Sequence, residues 1–309
     1  MDASRRSATH ERMVHRQADQ HYLIETQAFA SRQEYVLHLM HSFAYSAAAR
    51  LAVHKDVLDV GCNVGYGTAM LGTVARHVTG VDVAARAVES ARRNYSCQGV
   101  EYRLVDGFGL PFRDRSFDLV VSLQVLEHVV DHDLFLSEIH RVLKRNGVAV
   151  LSTPNACLRL DPGMRPWNEL HVREWDCLSL STLLRSHFPR VEVLGLFAVP
   201  ATYSIEFERV QSALVRHRRE LRGGRFGGAV KRLTRLVVPS FLRLQIQRRR
   251  GASPFVAKWM KEHTLADFWY QGDGIDDALD QLAVCGHADL SVATSVSAVM
   301  SARRQELFG

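Results

Sequence analysis

Short apolar runs rich in β-branched residues alternate with stretches of helical periodicity between residues 55 and 155. Strands are predicted at 57–60, 78–82, 101–105, 118–122 and 148–152, and helices at 68–75, 84–95 and 131–143. Strands that are apolar throughout and separated by helices are typical of parallel strands covered on both faces. Because such crossovers are right-handed, the pattern predicts a doubly wound sheet.

The segments that flank this core complete the predicted architecture. Residues 1–50 have a helical pattern with many aromatic and His side chains, which predicts an N-terminal helical cap. The core, 51–200, also includes a helix at 179–188 and a sixth strand at 191–199. A helical insertion over 201–265 and a segment over 266–309, with a last strand at 279–284, follow. The predicted fold is therefore α/β, a doubly wound, Rossmann-like sheet of seven strands with a helical cap and a helical insertion before the last strand.

The composition is that of an ordinary globular protein. The chain has 309 residues, of which 47% are hydrophobic and 23% charged, which excludes a disordered or fibrous class. The apolar runs are far shorter than the roughly 20 residues of a membrane-spanning helix, and the polar start shows no secretory signal. The cysteines are Cys62, Cys97, Cys157, Cys177 and Cys285. Their odd number and spacing favour a reduced, cytoplasmic protein and give no sign of a metal centre.

Positive charge is concentrated in one segment. The formal net charge is +6, but residues 209–250 contain 13 Lys and Arg and a single acid, Glu220, so this segment carries +12 and the rest of the chain −6. Basic and apolar residues interleave there, which fits contact with an anionic substrate, with the inner face of a membrane, with nucleic acid, or with a partner subunit in a homo-oligomer. Nucleic acid is disfavoured, because no reading module or aromatic stacking platform accompanies the charge.

Residues suited to ligand binding cluster where the predicted strands end. The sequence VLDVGCNVGYG at 57–67 places a glycine turn between the first strand and the first helix, where backbone N–H groups can approach a ligand. Asp82 ends the second strand, 21 residues after Gly61, the position of a carboxylate that accepts both ribose hydroxyls of an adenosine-containing ligand. Asp106 follows the third strand, where it can accept from an adenine amino group.

The residue before the glycine turn discriminates between adenosine-containing ligands. Asp59 would repel a pyrophosphate, and the turn lacks G-x-G-x-x-G, so a nicotinamide dehydrogenase is disfavoured. An acid suits S-adenosylmethionine, whose sulfonium and ammonium groups are both positive. The predicted residues for this cofactor are Asp59, Gly61, Asn63, Gly65, Tyr66, Asp82, Val83, Asp106, Gly107 and Gln124.

The chain resembles the class I S-adenosylmethionine-dependent methyltransferases, in particular the ubiquinone/menaquinone type. LPFRDRSFD at 110–118 and VLEH at 125–128 carry the likeness, which continues through 141–147 and 152–155. The turn departs from the family in having Asn63 for a glycine, and Asn tolerates left-handed backbone angles.

Three outer segments are similar to a narrower group, the enzymes that methylate sugar hydroxyls in polysaccharides, such as the mycobacterial methylglucose lipopolysaccharide methyltransferases. They are 9–12, where His10 replaces the usual glycine, 168–174 and 276–284. The resemblance implies O-methylation of a hydroxyl on a sugar, glycan or sugar-bearing metabolite. It also implies an antiparallel last strand, so that the insertion emerges beside the site as a candidate lid.

Two histidines compete for the role of base. His128 follows the fourth strand and His171 lies in the loop after the fifth, so both are expected on the ligand side of the sheet. An imidazole there can take the proton of an acceptor hydroxyl. His128 can equally be a packed residue at a helix start, and Arg173 and Glu174 beside His171 can bind polar groups of the substrate or form a salt bridge that closes the loop. The sequence leaves open methylation of a quinone-like or other small natural product, and a catalytically silent binding scaffold.

Overall fold

The computed structural model describes residues 29–222 and 254–287, and folds them around one sheet of eight strands. The strands are β1 (Asp56–Val60), β2 (His77–Asp82), β3 (Val100–Leu104), β4 (Phe117–Leu123), β5 (Leu143–Pro154), β6 (Arg190–Ala198), β7 (Phe268–Gln271) and β8 (Asp280–Gly286). They lie in the order β3-β2-β1-β4-β5-β8-β6-β7. Strands β1 to β5 are parallel, whereas β8 is antiparallel to both β5 and β6.

Helices cover both faces of the sheet. They are α1 (Arg32–Ala52), α2 (Tyr66–Gly72), α3 (Ala85–Tyr95), α4 (His132–Val142), α5 (Ala156–Arg159), α6 (Cys177–Arg185), α7 (Pro200–Arg222) and α8 (Pro254–Glu262), with 3-10 turns at Leu126–His128, Leu265–Asp267 and Ile275–Asp277. Successive strand residues point to opposite faces, so Val57 packs in the core beneath α1 while Leu58 packs in the core beneath α4 and α6. Both cores are apolar, which explains the strands without polar alternation.

The predicted α/β class and doubly wound sheet are confirmed, with one strand more than the seven predicted. The additional strand is β7, which pairs antiparallel with β6 from Ala198↔Phe268 to Gly195↔Gln271. Its four residues, FWYQ, are too short a run to predict a strand from periodicity. Strand β5 also begins five residues earlier than predicted, directly after α4.

Helix α1 is packed against the sheet along its length. It begins at Ser31, whose hydroxyl accepts the N–H of Glu34 at 3.2 Å. The ring of Phe43 lies 5.9 Å from that of Phe268 and 5.3 Å from that of Tyr270, both in β7. The predicted boundary between cap and core, at residues 50 and 51, falls inside this helix.

The described ends of the predicted insertion are helical. Thr202 at the start of α7 donates to Asp267 Oδ2 at 2.5 Å, and the His263 ring lies 2.7 Å from the same oxygen. Most of the basic segment 209–250 lies outside the described residues, so its role as a lid or docking surface stays a prediction. Among the helices that the structure describes, none is long and apolar enough to cross a membrane.

Candidate active site

A cavity of about 500 Å³ opens at the carboxyl ends of the parallel strands. Nine of the twelve predicted site residues line it: Gly61, Asn63, Tyr66, Asp82, Val83, Gly107, Gln124, His128 and His171. Asp59, Gly65 and Asp106 are described but lie outside its lining. Helix α1 adds a wall that the sequence did not predict as part of the site, with Glu34, His38, His41 and Tyr45.

In the turn after β1, every second residue adopts the left-handed backbone conformation. Gly61 has φ 81°, Asn63 φ 48° and Gly65 φ 90°. Asn63 adopts the left-handed conformation as predicted, and its own side chain supports it by accepting the N–H of Val64 at 2.7 Å. A Cβ at Gly61 would lie 2.3 Å from Val125, so the turn is also sterically closed to larger residues. This geometry brings backbone to the cavity wall and starts α2 at Tyr66.

Asp82 is fixed at the cavity wall by two backbone donors. Its Oδ2 accepts the N–H of Asn63 at 2.9 Å, and its Oδ1 accepts the N–H of Ala84 at 2.8 Å. The residue is 3% exposed. A carboxylate held in this way is preoriented to accept from a pair of ribose hydroxyls.

Asp59 is buried beneath the turn and is hydrogen-bonded to two neighbouring helices. Thr68 donates to its Oδ2 at 2.6 Å, and the Tyr45 hydroxyl lies 3.3 Å from both carboxylate oxygens. Burial raises the pKa of Asp59 to about 7, an effect that the hydrogen bonds from Thr68 and Tyr45 only partly offset. The carboxyl thus ties α1 and α2 to β1.

The raised pKa of Asp59 predicts a pH-dependent difference in stability. Because its folded pKa of about 7 exceeds the ordinary value of 3.8, its contribution to stability is full below about pH 4 and is lost as pH rises through 7. Asp59→Asn should therefore gain stability relative to wild type, on the order of a few kcal/mol, between pH 5 and pH 8. Urea unfolding across this range measures the difference. An equal pH slope in both proteins would contradict it, and Asp273→Asn, at an exposed position, serves as the control.

Asp106 and Gln124 are both engaged in hydrogen bonds within the protein. Asp106 Oδ1 accepts the N–H of Phe108 at 2.9 Å, which forms the turn that carries Gly107 to the cavity. Gln124, with φ 57°, donates from Nε2 to Asp280 Oδ2 at 2.8 Å and to Ser152 Oγ at 3.2 Å. These contacts hold the loops after β3 and β4 in place at the cavity.

The structure brings His128 and His171 together in the cavity wall. Their rings are perpendicular, with centroids 4.7 Å apart. His128 Nδ1 lies 3.0 Å from the carbonyl oxygen of Leu170, and His171 Nδ1 lies 2.6 Å from Glu174 Oε1. Both partners are acceptors, so Nδ1 carries the proton in each neutral ring and the lone pair is on Nε2. This tautomer is the one that a proton acceptor at Nε2 requires.

Glu174 joins His171 to a buried ion pair. Arg159 donates to its two carboxylate oxygens at 2.8 and 3.2 Å, and the Arg159 guanidinium lies over the Trp167 ring at 4.3 Å. Arg173 instead lies over the Trp175 ring at 5.6 Å. Glu174 therefore does form a salt bridge, as one interpretation of the sequence had it, but its partner is Arg159 and not the neighbouring Arg173.

A third side chain, Glu127, completes a group that could hold a metal ion. It is 1% exposed, and one ligand atom each of Glu127, His128 and His171 lies within 4.8 Å of the others. Burial raises the pKa of Glu127 to about 7, against the effect of nearby His171 and a hydrogen bond from Thr153. Sequence spacing does not predict this group, because His171 is 43 residues from His128 and lies in a different loop.

The residues at the cavity fit S-adenosylmethionine. Asp82 presents a carboxylate of the kind that accepts hydrogen bonds from ribose hydroxyls, and Val83, Val105 and Leu110 supply apolar surface of the kind that an adenine ring contacts. The turn at Gly61 allows close approach of the backbone.

Known proteins are similar to this chain in sequence. Residues 58–151 match the methyltransferase-domain family. A probable S-adenosylmethionine-dependent methyltransferase of Mycobacterium tuberculosis is 32% identical over 253 residues, which are 79% of this chain and 81% of the relative. A probable S-adenosylmethionine-dependent methyltransferase of Mycolicibacterium smegmatis is 38% identical over 159 residues, 51% of this chain; the match spans 61% of that relative's length, less than two thirds. A fatty-acid O-methyltransferase of the same species is 34% identical over 115 residues, 37% of this chain and 41% of the relative.

The match to the Mycobacterium tuberculosis protein extends over most of both chains. The predicted enzyme class and the predicted cofactor are thereby confirmed. With its doubly wound sheet, its glycine turn and its cavity at the strand ends, this chain belongs to the class I S-adenosylmethionine-dependent methyltransferases.

Proposed function

We propose that this enzyme transfers the methyl group to a hydroxyl oxygen of a sugar, a glycan or a sugar-bearing metabolite. The observation that carries the proposal is the pair His128 and His171, each with Nδ1 bound to an acceptor and both lining the cavity. A neutral alcohol must lose its proton as its oxygen is methylated, so an imidazole at the site has a specific use.

The protein's tasks in this reaction follow from its residues. S-adenosylmethionine, when bound, supplies a methyl group that its sulfonium already activates. Asp82 and the turn at Gly61 hold the cofactor, while the imidazole pair takes the hydroxyl proton at Nε2. The cavity walls orient the acceptor and exclude water, which accounts for much of the rate in reactions of this kind.

The cavity walls are chemically mixed, which favours an acceptor with polar and apolar parts. Asn168, His38 and His41 present polar groups, whereas Phe29 and Leu37 present apolar surface. The segment 168–174, which carries the resemblance to sugar-methylating enzymes, supplies Asn168 and His171. The similar fatty-acid O-methyltransferase also has oxygen as its acceptor atom, as its name states. A sugar attached to an apolar group satisfies all of these observations.

Methyl transfer to defined acceptors tests the proposal. The purified chain is incubated with methyl-labelled S-adenosylmethionine and, separately, with an alkyl glucoside, a maltooligosaccharide, a hydroquinone and a long-chain fatty acid. We expect a methyl ether on a glycoside, identified by NMR, with turnover retained in EDTA because an imidazole base needs no metal ion. Transfer to the hydroquinone or the fatty acid alone would overturn the sugar assignment, and loss of turnover in EDTA would point to the group that includes Glu127.

Removing the Asp82 carboxylate should weaken cofactor binding. For Asp82→Ala we expect affinity for S-adenosylmethionine to fall roughly 10- to 100-fold, because hydrogen bonds to a charged group contribute about 1.5–3 kcal/mol. Isothermal titration calorimetry measures the change. Asp273→Ala removes an exposed carboxylate in the loop after β7 and should bind as wild type does. Unchanged binding by Asp82→Ala would remove its assignment to the ribose.

A further inference from the structure

A chain of buried polar contacts runs from the cavity into the protein. His171, with a side chain 7% exposed, contacts Glu174, whose side chain is fully buried, at 2.6 Å. Glu174 in turn accepts two hydrogen bonds from Arg159, which lies over the Trp167 ring. Trp167 Nε1 donates to the carbonyl oxygen of Arg159 at 3.2 Å. Arg159 and Trp167 are therefore joined by this hydrogen bond and by the contact of the guanidinium with the ring.

We infer that Glu174, held by Arg159, is a positioning residue that makes His171, rather than His128, the proton acceptor in methyl transfer. The inference rests on the proposed function, since it concerns the proton of a hydroxyl acceptor. It adds which histidine acts and which two residues outside the cavity lining prepare it.

The two rings differ in the group that receives their Nδ1–H. His171 donates to a carboxylate, whereas His128 donates to the backbone carbonyl of Leu170. When the acceptor oxygen bonds to the methyl carbon, the carbon–sulfur bonding pair stays with sulfur and the hydroxyl proton passes to Nε2. The ring then becomes a cation. A carboxylate 2.6 Å from Nδ1 stabilises that cation far more than a neutral carbonyl does, because the attraction is charge to charge in a buried site.

The two rings are in direct contact. At a centroid separation of 4.7 Å, a proton on one ring disfavours a proton on the other. The contact of Nδ1 with a carboxylate therefore distinguishes His171 as the proton acceptor, and His128 shapes the cavity wall beside it. The titratable and charged groups around this proton are Glu127, His128, Glu174, Arg159 and Arg209.

Arg159 keeps Glu174 in its charged form. Burial alone would raise the pKa of Glu174, but the hydrogen bond from His171 and the charge and hydrogen bonds of Arg159 outweigh it and lower the pKa below its ordinary value. Glu127 is also buried and accepts a hydrogen bond from Thr153 Oγ1 at 3.1 Å, and there burial raises the pKa to about 7.

Two variants separate this role from a purely structural one. Glu174→Gln removes the charge, and Glu174→Leu/Arg159→Met replaces the ion pair by apolar side chains, a change that buried pairs often tolerate. Glu169→Gln removes an exposed carboxylate from the same loop and is the control. We expect kcat to fall roughly 10- to 100-fold in both test variants, while KM for the acceptor and affinity for S-adenosylmethionine stay within about twofold. The acidic limb of the pH–rate profile should move in both variants and not in the control.

Nitrogen-15 NMR of the histidine rings provides a readout that needs no acceptor. We expect His171 to carry its proton on Nδ1 in wild type and to populate both tautomers in Glu174→Leu/Arg159→Met, with His128 unchanged. Folded variants that keep wild-type kcat, pH profile and His171 tautomer would overturn the inference. A wild-type enzyme that methylates no hydroxyl would instead overturn the proposed function, and the NMR result would still report on the coupling of Glu174 to His171.

Discussion

Replacing His171 with alanine should lower kcat about 10²- to 10⁴-fold, the range that a general base contributes. The loss follows from removing the ring whose Nδ1–H is bound to Glu174, which leaves the hydroxyl proton without its acceptor. Affinity for S-adenosylmethionine should persist, because the turn at Gly61 and the carboxylate of Asp82 are unchanged. Steady-state kinetics with the identified acceptor, together with calorimetry of cofactor binding, measures the two effects separately.

The same substitution at the neighbouring ring, His128, tests whether the loss of turnover is specific to His171. His128→Ala should reduce kcat by roughly tenfold or less, through loss of packing against His171. His187→Ala, at a ring that contacts the exposed Asp133, should have no effect on turnover. A collapse of turnover in His128→Ala with His171→Ala still active would reverse the assignment. If both variants stay active, neither ring is the base.

Introducing a methyl group at Gly67 should destabilise the protein by roughly 3 to 5 kcal/mol. A Cβ at this position would lie 2.1 Å from Cε2 and Cζ of Tyr45, whose buried ring is held by its hydroxyl contact with Asp59. Tyr45 would have to move, which adds overpacking to the loss of a buried polar contact. The change runs against intrinsic propensity, since alanine favours a helix by about 1 kcal/mol over glycine. Chemical denaturation measures the free energy of unfolding.

Two further variants show whether the clash is the cause. Gly272→Ala, where a Cβ meets nothing within 4 Å, should change the free energy of unfolding by less than about 0.5 kcal/mol. Combining Gly67→Ala with Tyr45→Ala removes the ring, so the two substitutions should be strongly non-additive. Additive effects would show that contacts other than the one to Tyr45 account for the loss.

The sequence predicted what depends on local pattern and on topology. Apolar strands and the glycine turn predicted the sheet edge that carries Gly61 and Asp82, and parallel topology placed His128 and His171 on the same side. Strand β7 escaped prediction because its four residues give no periodicity and depend on pairing with β6. The role of α1 in the cavity wall escaped because helical periodicity does not tell which part of a sheet a helix covers.

Side-chain partners were the least predictable part of the site. Asp59 was expected to face the cofactor, since an acid before the turn suits a cation, but its carboxyl contacts Tyr45 and Thr68 inside the core. Glu174 and Arg159 are 15 residues apart and belong to different elements, so sequence spacing could not pair them. Such contacts arise from tertiary packing, which periodicity and motif spacing do not encode.

Tyr45 links helix α1 to the glycine turn, and so links the binding of the acceptor to the binding of S-adenosylmethionine. Helix α1 forms part of the wall that an acceptor would meet, and through Tyr45 and Asp59 it also supports the turn that approaches the cofactor. Reshaping α1 to accept a different substrate would therefore alter the affinity for S-adenosylmethionine as well. By thermodynamic reciprocity, the factor by which bound cofactor changes acceptor affinity equals the factor by which bound acceptor changes cofactor affinity. On the proposed function, acceptor range and cofactor affinity are therefore coupled through that helix.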